Sequence, residues 1–171
     1  MSNRTDIHRP SAIIPADYEF VACELVPGPF GAPMALLPER ERIRKHMEAT
    51  GGTYSRHEHG GNCHICGSVN LIYSLLYYHA KSNSYIRMGD DCAQKLEFGG
   101  TRELNIFRKA VREEMEIAKG KGKAQRILTE SGLDRAWAIF ESTTAGYEEG
   151  IIRDIVGKLV KYGSISVNQG E

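Results

Sequence analysis

Residues 63–92 read CHICGSVNLIYSLLYYHAKSNSYIRMGDDC, and this stretch constrains the fold more than any other. Cys63 and Cys66 stand two residues apart with Gly67 directly after them, the form of a zinc knuckle. In such a knuckle a tight turn aims two thiolates at one metal, and the small residue frees backbone N–H groups to face the sulfurs. Cys92 follows Met88-Gly89-Asp90-Asp91. An Asp there reads as a helix N-cap, which puts the third sulfur in a first helical turn, where the helix dipole favours a thiolate. Between the two halves, Val69 to His79 is rich in β-branched and aromatic residues, Lys81-Ser82-Asn83-Ser84 carries turn residues, and Tyr85 to Met88 is a second short run. This is a β-hairpin that turns near Ser82, returns Cys92 to the start of the outgoing strand, and gathers three sulfurs at one end.

The order knuckle, hairpin, helix predicts a treble-clef-like zinc module. Structural zinc takes four ligands, so Cys63, Cys66 and Cys92 need a partner. Cys23 lies in an apolar strand pattern and reads as a buried small hydrophobe. His79 precedes the turn by three residues, and at ~3.3 Å per residue the strand carries it well over ~20 Å from the knuckle. His64, inside the knuckle, is expected to point outward. His57 and His59 sit just before Cys63 with alternate spacing that puts both on one face. His59 is the preferred ligand because Gly60 and Gly61 let the chain fold back, and His57 is its nearest rival. The competing readings are a lone redox pair or unconnected thiols; the third cysteine at a helix start and the adjacent histidines favour Zn2+.

The chain has 171 residues, 41% of them hydrophobic, enough for a core. The apolar runs are too short to span a membrane, and the N-terminus lacks a signal peptide's basic start and apolar block. A cytoplasmic protein with reduced, metal-binding cysteines is expected. Lys plus Arg equals Asp plus Glu at 22 each, so a nucleic-acid surface would have to be local. Residues 102–126 carry eight basic against four acidic side chains, a composition that a solvated helix face would share.

The fold class expected is α+β, with a flexible arm over 1–16, a β-rich zinc-binding module over 17–100 and a helical region over 101–171. Tyr18 to Val26 reads as a strand ended by Pro27-Gly28-Pro29. Pro38 opens a charged surface helix in which only Ile43 and Met47 mark an apolar side. Leu104, Phe107, Val111, Met115 and Ala118 keep helical spacing. Lys119-Gly120-Lys121-Gly122-Lys123 then reads as a hinge or helix end, since the Gly-Lys-Ser/Thr of a phosphate loop is missing. Leu133, Trp137 and Phe140 mark a short helix with Trp137 in the core, and Ile151 to Val160 a last one, closed by Gly163. Residues 163–169 resemble the start of one more.

Tyr18-Glu19-Phe20-Val21-Ala22, Leu37-Pro38-Glu39-Arg40, Cys63-His64-Ile65-Cys66-Gly67, Met88-Gly89-Asp90-Asp91-Cys92-Ala93 and Tyr162-Gly163-Ser164-Ile165-Ser166 with Gln169 together give the chain a familiar outline. It resembles a family of small zinc-binding proteins carried by bacteriophages and plasmids. The resemblance implies a phage or mobile-element protein, acting in the cytoplasm of an infected bacterial host. Many relatives carry an Arg-rich cluster after the knuckle, where this chain has Ser68-Val69-Asn70-Leu71.

Three functions follow. The first is a DNA-binding accessory protein, for single or double strands, with structural zinc. Its contacts would come from Lys81, Tyr78, Lys119, Lys121, Lys123 and Arg126, with Tyr77, Tyr85 and Arg87 on one side of the hairpin as a stacking surface. The second is a protein-binding module that engages a host or phage factor, which suits the neutral charge. The third is a metalloenzyme using Glu58, Asp90 or Asp91 as a base with His57 free to shuttle protons; three sulfurs quench a zinc ion's Lewis acidity and argue against it.

Overall fold

Strand β1, Tyr18–Leu25, occupies one edge of a four-stranded sheet whose order is β1-β3-β4-β2, with β2 at Thr53–Tyr54, β3 at Tyr73–His79 and β4 at Ser84–Met88. In this computed structural model, residues 6–26, 32–54, 62–69, 71–142 and 146–164 are described. They form an α+β fold. The chain divides into two units, Met1–Arg112 and Glu113–Glu171.

The hairpin forms where the sequence places it. A short 3-10 turn at Ala80–Ser82 joins β3 to β4, and the antiparallel register runs from His79 opposite Ser84 to Leu75 opposite Met88. The outgoing strand is shorter than expected, because Val69 and Ile72 lie exposed ahead of it. β1 pairs antiparallel with β3, with a bulge between Phe20 and Ala22, and β2 runs parallel to β4.

Directly opposed residues of an antiparallel pair share a face. Ala22, Leu76, Arg87, Tyr78 and Tyr85 therefore lie on one face, and Leu75, Tyr77, Ile86 and Met88 on the other. Helix α1, Leu36–Thr50, covers the first, setting Ile43 and Met47 against Val21, Ala22, Leu76 and Tyr85. Ile43 and Met47 are half-buried, whereas Leu36 is inside, and so is Glu39, whose Oε2 accepts a 2.8 Å bond from the Cys23 N–H. An edge strand has unpaired backbone donors, and this carboxylate satisfies one of them. The other face meets Phe98 and Phe107, whose rings stand edge-on to Tyr77 at 4.8 Å and Tyr73 at 6.2 Å. β3 is thus apolar on both sides, as a central strand between two layers must be.

Helix α2, Asp90–Lys95, follows β4, and α3, Thr101–Glu130, begins in the first unit, where it buries Leu104, Phe107 and Val111. The N-terminal arm is not loose throughout. His8 is buried, with Nδ1 2.7 Å from the Tyr18 hydroxyl and its ring 5.4 Å from that of His79. Residues 1–5 lie outside the described residues.

In the second unit α3 continues, joined by α4, Asp134–Glu141, and α5, Tyr147–Tyr162. Ala124 and Leu128 of α3 and Val156 and Leu159 of α5 form a core, with Trp137 and Phe140 packed on it. Among the described residues from Thr101 on, every regular element is helical. The Lys-Gly repeat does not interrupt α3, contrary to the sequence reading. Gly120 has a packing role instead, since a β-carbon there would lie 2.3 Å from the Val160 carbonyl oxygen. Gly163 caps α5 in the left-handed region, its N–H donating to the Leu159 carbonyl.

Candidate metal centre

The knuckle turns at Gly67, whose φ of 74° favours glycine. Two backbone bonds close it, from the Gly67 N–H to the Cys63 carbonyl at 2.9 Å and from the Cys63 N–H to the Ser68 carbonyl at 2.8 Å. It is clamped to the outer edge of β4. The His64 N–H donates to the Arg87 carbonyl, the Arg87 N–H donates to His64 Nδ1, and both bonds are 2.8 Å. His64 is therefore 2% exposed and does not point outward as expected. Its Nδ1 is an acceptor fixed on β4, and the knuckle continues the edge protection that β2 begins at Ser84 and Tyr85.

α2 supplies the third thiol. Its N-cap is Gly89 rather than an aspartate, and Cys92 falls in the first turn as predicted. The Sγ atoms of Cys63, Cys66 and Cys92 all lie within 4.8 Å of one another, and all are free thiols. A disulfide would draw two sulfurs to ~2 Å, whereas three thiolates at ~2.3 Å from one tetrahedral ion stand ~3.8 Å apart. The arrangement has the spacing of a metal site, and these three cysteines could hold a metal ion.

Electrostatics point the same way. Burial pushes the Cys66 thiol up, but the Ser68 backbone N–H and the thiols of Cys92 and Cys63 outweigh it and hold Cys66 below the ordinary thiol range. Cys92 is pushed up to about 12, by burial first and then by Cys63 and Cys66. Cys66 and Cys92 are thus shifted in opposite directions, and a dication beside them would favour both thiolates.

The cleft beside the thiols has a volume of 370 Å³ and includes Tyr73, Asp90, Asp91 and Arg108. Asp90 is taken: it accepts from Gln94 Nε2 at 2.9 Å and from Arg108 Nη1 at 2.7 Å. Burial raises its pKa, but these two bonds outweigh it and hold the carboxyl below its usual range. Arg108 also lies over the Tyr73 ring at 5.5 Å. A carboxylate so engaged is a poor general base, which removes one of the groups a metalloenzyme would need.

Among the described residues the group of close metal-type donors consists of the three cysteines. His57, Glu58 and His59 lie in 55–61, outside the described residues. Cys23 is buried and separate, with its thiol pushed up to about 12 by burial and by Glu39. His79 sits at the hairpin tip, where its Nδ1 accepts from the Ser82 N–H at 3.2 Å and lies 2.6 Å from Ser82 Oγ.

The stacking surface expected on the hairpin is overturned. Tyr77 is 1% exposed and its hydroxyl donates to the Gly99 carbonyl at 2.6 Å. Tyr85 is fully buried, its hydroxyl 2.6 Å from His46 Nδ1 and 2.9 Å from Thr50 Oγ1. Arg87, 5% exposed, pairs through its guanidinium with both Glu24 carboxylate oxygens. Tyr77 also lies on the opposite face from the other two, because Tyr78 is the residue that pairs with Tyr85. The half-buried Tyr78 donates to Asn83 Oδ1, and Lys81 is tied to Asp17 at 2.6 Å.

The basic residues of α3 remain outside the core. Lys119, Lys123 and Arg126 are exposed, and Lys121 is half-buried with Nζ 3.1 Å from a Glu141 oxygen. The sequence does not disclose the Arg108–Asp90 pair, the Glu24–Arg87 pair or the inward role of His64, all of which depend on partners remote in the chain. No described helix is long and apolar enough to cross a membrane. No family model, no curated protein and no solved structure matches this chain.

Proposed function

We propose that Cys63, Cys66 and Cys92 hold one zinc ion in a structural, treble-clef-like site, and that the protein is a nucleic-acid-binding accessory factor rather than an enzyme. The observation that carries the metal half is the meeting of three thiols from two separate elements within 4.8 Å. Thiolate sets favour zinc among divalent ions of ordinary availability. His59 is the fourth ligand, with His57 as its rival. Bound there, zinc ties the knuckle to the start of α2 and fixes the end of the hairpin, and it supplies folding energy rather than a reacting centre. The resemblance to zinc-binding proteins of phages and plasmids supports an origin on a mobile element and work in the cytoplasm of the bacterial host.

The nucleic-acid half rests on the exposed basic side of α3 at Lys119, Lys123 and Arg126. A protein partner is the second reading, favoured by the burial of Tyr77, Tyr85 and Arg87 and by the balance of 22 basic and 22 acidic residues. Salt separates the two. Titration of the zinc-loaded protein against labelled single- and double-stranded DNA should give binding at low salt that falls steeply as salt rises. Absence of binding to either DNA at low salt would remove the nucleic-acid reading and leave the protein partner.

A further inference from the structure

Within the second unit, α3 and α5 cross closely at Gly120, where the Val160 carbonyl oxygen occupies the space of a side chain. Beside this crossing lies a groove of 640 Å³. Ile117 and Val160 give it an apolar lining, and three lysines line it as well: Lys119 and Lys123 from α3 and Lys161 from α5. Lys119 and Lys123 are four residues apart and so share one side of the helix. Tyr162, 66% exposed, completes the border, with Lys161 Nζ 5.1 Å from its ring centre.

We infer that this groove binds single-stranded nucleic acid, with the three ammonium groups along the backbone and Tyr162 as a stacking platform for one unpaired base. The inference rests on the nucleic-acid reading above and gives it a place. Cations from two helices converge on one concave track, and an exposed ring stands at its edge, the pairing of elements that non-sequence-specific single-strand binders use. A duplex keeps its base faces stacked and cannot use the ring. Among the described residues the carboxylate at the groove is Glu116, which holds Lys119 at 2.9 Å with both side chains exposed, so a phosphate can take its place. Gly120 keeps the helices close and thereby fixes the spacing of the lysines. Sequence alone does not bring Lys161 and Tyr162 to Lys119 and Lys123, because they join them only through the packing of α5 on α3.

The test uses full-length, zinc-loaded protein, a fluorescent oligo-dT strand and a duplex of equal length, followed by anisotropy over a salt series. The dT strand should bind more tightly than the duplex, with a log–log salt slope of about −2 from three phosphate contacts. The double variant K123Q/K161Q should flatten that slope by about 1.4, and Tyr162→Ala should weaken binding about tenfold while Tyr162→Phe restores it. Lys158→Gln, whose ammonium pairs with Asp154 on α5, should behave as wild type. If dT binds but these groove variants bind it equally well, the groove is wrong while the nucleic-acid reading stands. If neither strand nor duplex binds at low salt, both fail. Matching circular dichroism melts for each variant separate lost contacts from lost structure.

Discussion

Gly120 and Gly122 look equivalent in Lys119-Gly120-Lys121-Gly122-Lys123, yet alanine should be stabilising at Gly122 and not at Gly120. Both lie inside α3, where replacing Gly by Ala gains about 1 kcal/mol of helix propensity. At Gly122 nothing lies within 4 Å of the new β-carbon, so the full gain should appear as added stability. At Gly120 the β-carbon would stand 2.3 Å from the Val160 carbonyl oxygen, 3.2 Å from its carbonyl carbon and 3.4 Å from Cγ1. The oxygen is roughly 1 Å inside ordinary van der Waals contact. It is backbone, so α5 must shift to relieve the clash, at a cost of about 1–3 kcal/mol. The propensity gain cancels between the two variants, and their difference isolates this packing cost. Urea melts should place Gly120→Ala about 1–3 kcal/mol below Gly122→Ala, with Tm values separated by about 2–4 °C per kcal/mol. Equal stabilisation by both substitutions would refute the close crossing, and with it the groove beside Val160.

Glu39→Ala should destabilise by about 1–3 kcal/mol, because it leaves the buried Cys23 N–H without its acceptor; Glu39→Gln should recover most of the loss, and an alanine variant within about 0.5 kcal/mol of wild type in urea melts would contradict the edge-capping role. Burial, opposed by Asp17 and aided by Lys81, holds His79 below its usual pKa of 6.5. The unfolded chain therefore takes up the proton first on acidification. This contribution is complete above about pH 6.5 and is lost as pH falls from there toward the lower folded value, so the loss of Tm between neutral and mildly acid buffer should be smaller in His79→Gln; an unchanged slope would overturn the assignment. His59→Ala should weaken zinc binding by more than about tenfold, and His79→Ala, at the far tip of the hairpin, should leave it intact in competition with a chromophoric chelator. The reverse result would exclude His59.

The hairpin was legible because its signals are local: two β-rich runs flank Lys81-Ser82-Asn83, and the turn forms there. Convergence of the three cysteines follows from that geometry, since Cys63 precedes the outgoing strand, Cys92 follows the returning one, and the antiparallel pairing brings those two ends together. Facing was harder to read. Both sides of β3 are covered, so its sequence lacks the polar alternation that would tell one face from the other, and Tyr77 was grouped with Tyr85 although the register opposes Tyr78 to Tyr85. Arg87 reads as a surface cation until Glu24, 63 positions earlier, is brought beside it. The inward turn of His64 is hidden for a similar reason, because the backbone of Arg87 that holds it belongs to a strand 23 residues away. Glycine in a run of lysines normally signals a break, and only the approach of α5 shows why Gly120 sits inside a continuous helix.

The most direct test is the metal content of the purified protein, measured together with the reactivity of its thiols. The three-thiolate site predicts one zinc per chain, with Cys63, Cys66 and Cys92 protected until a chelator is added. Cys66→Ser should lose the metal and unfold the hairpin, as expected where a structural ion contributes folding energy directly. Less than about half an equivalent of metal, with all three thiols titrating freely in the folded protein, would contradict a site whose ligands zinc binding must deprotonate and shield.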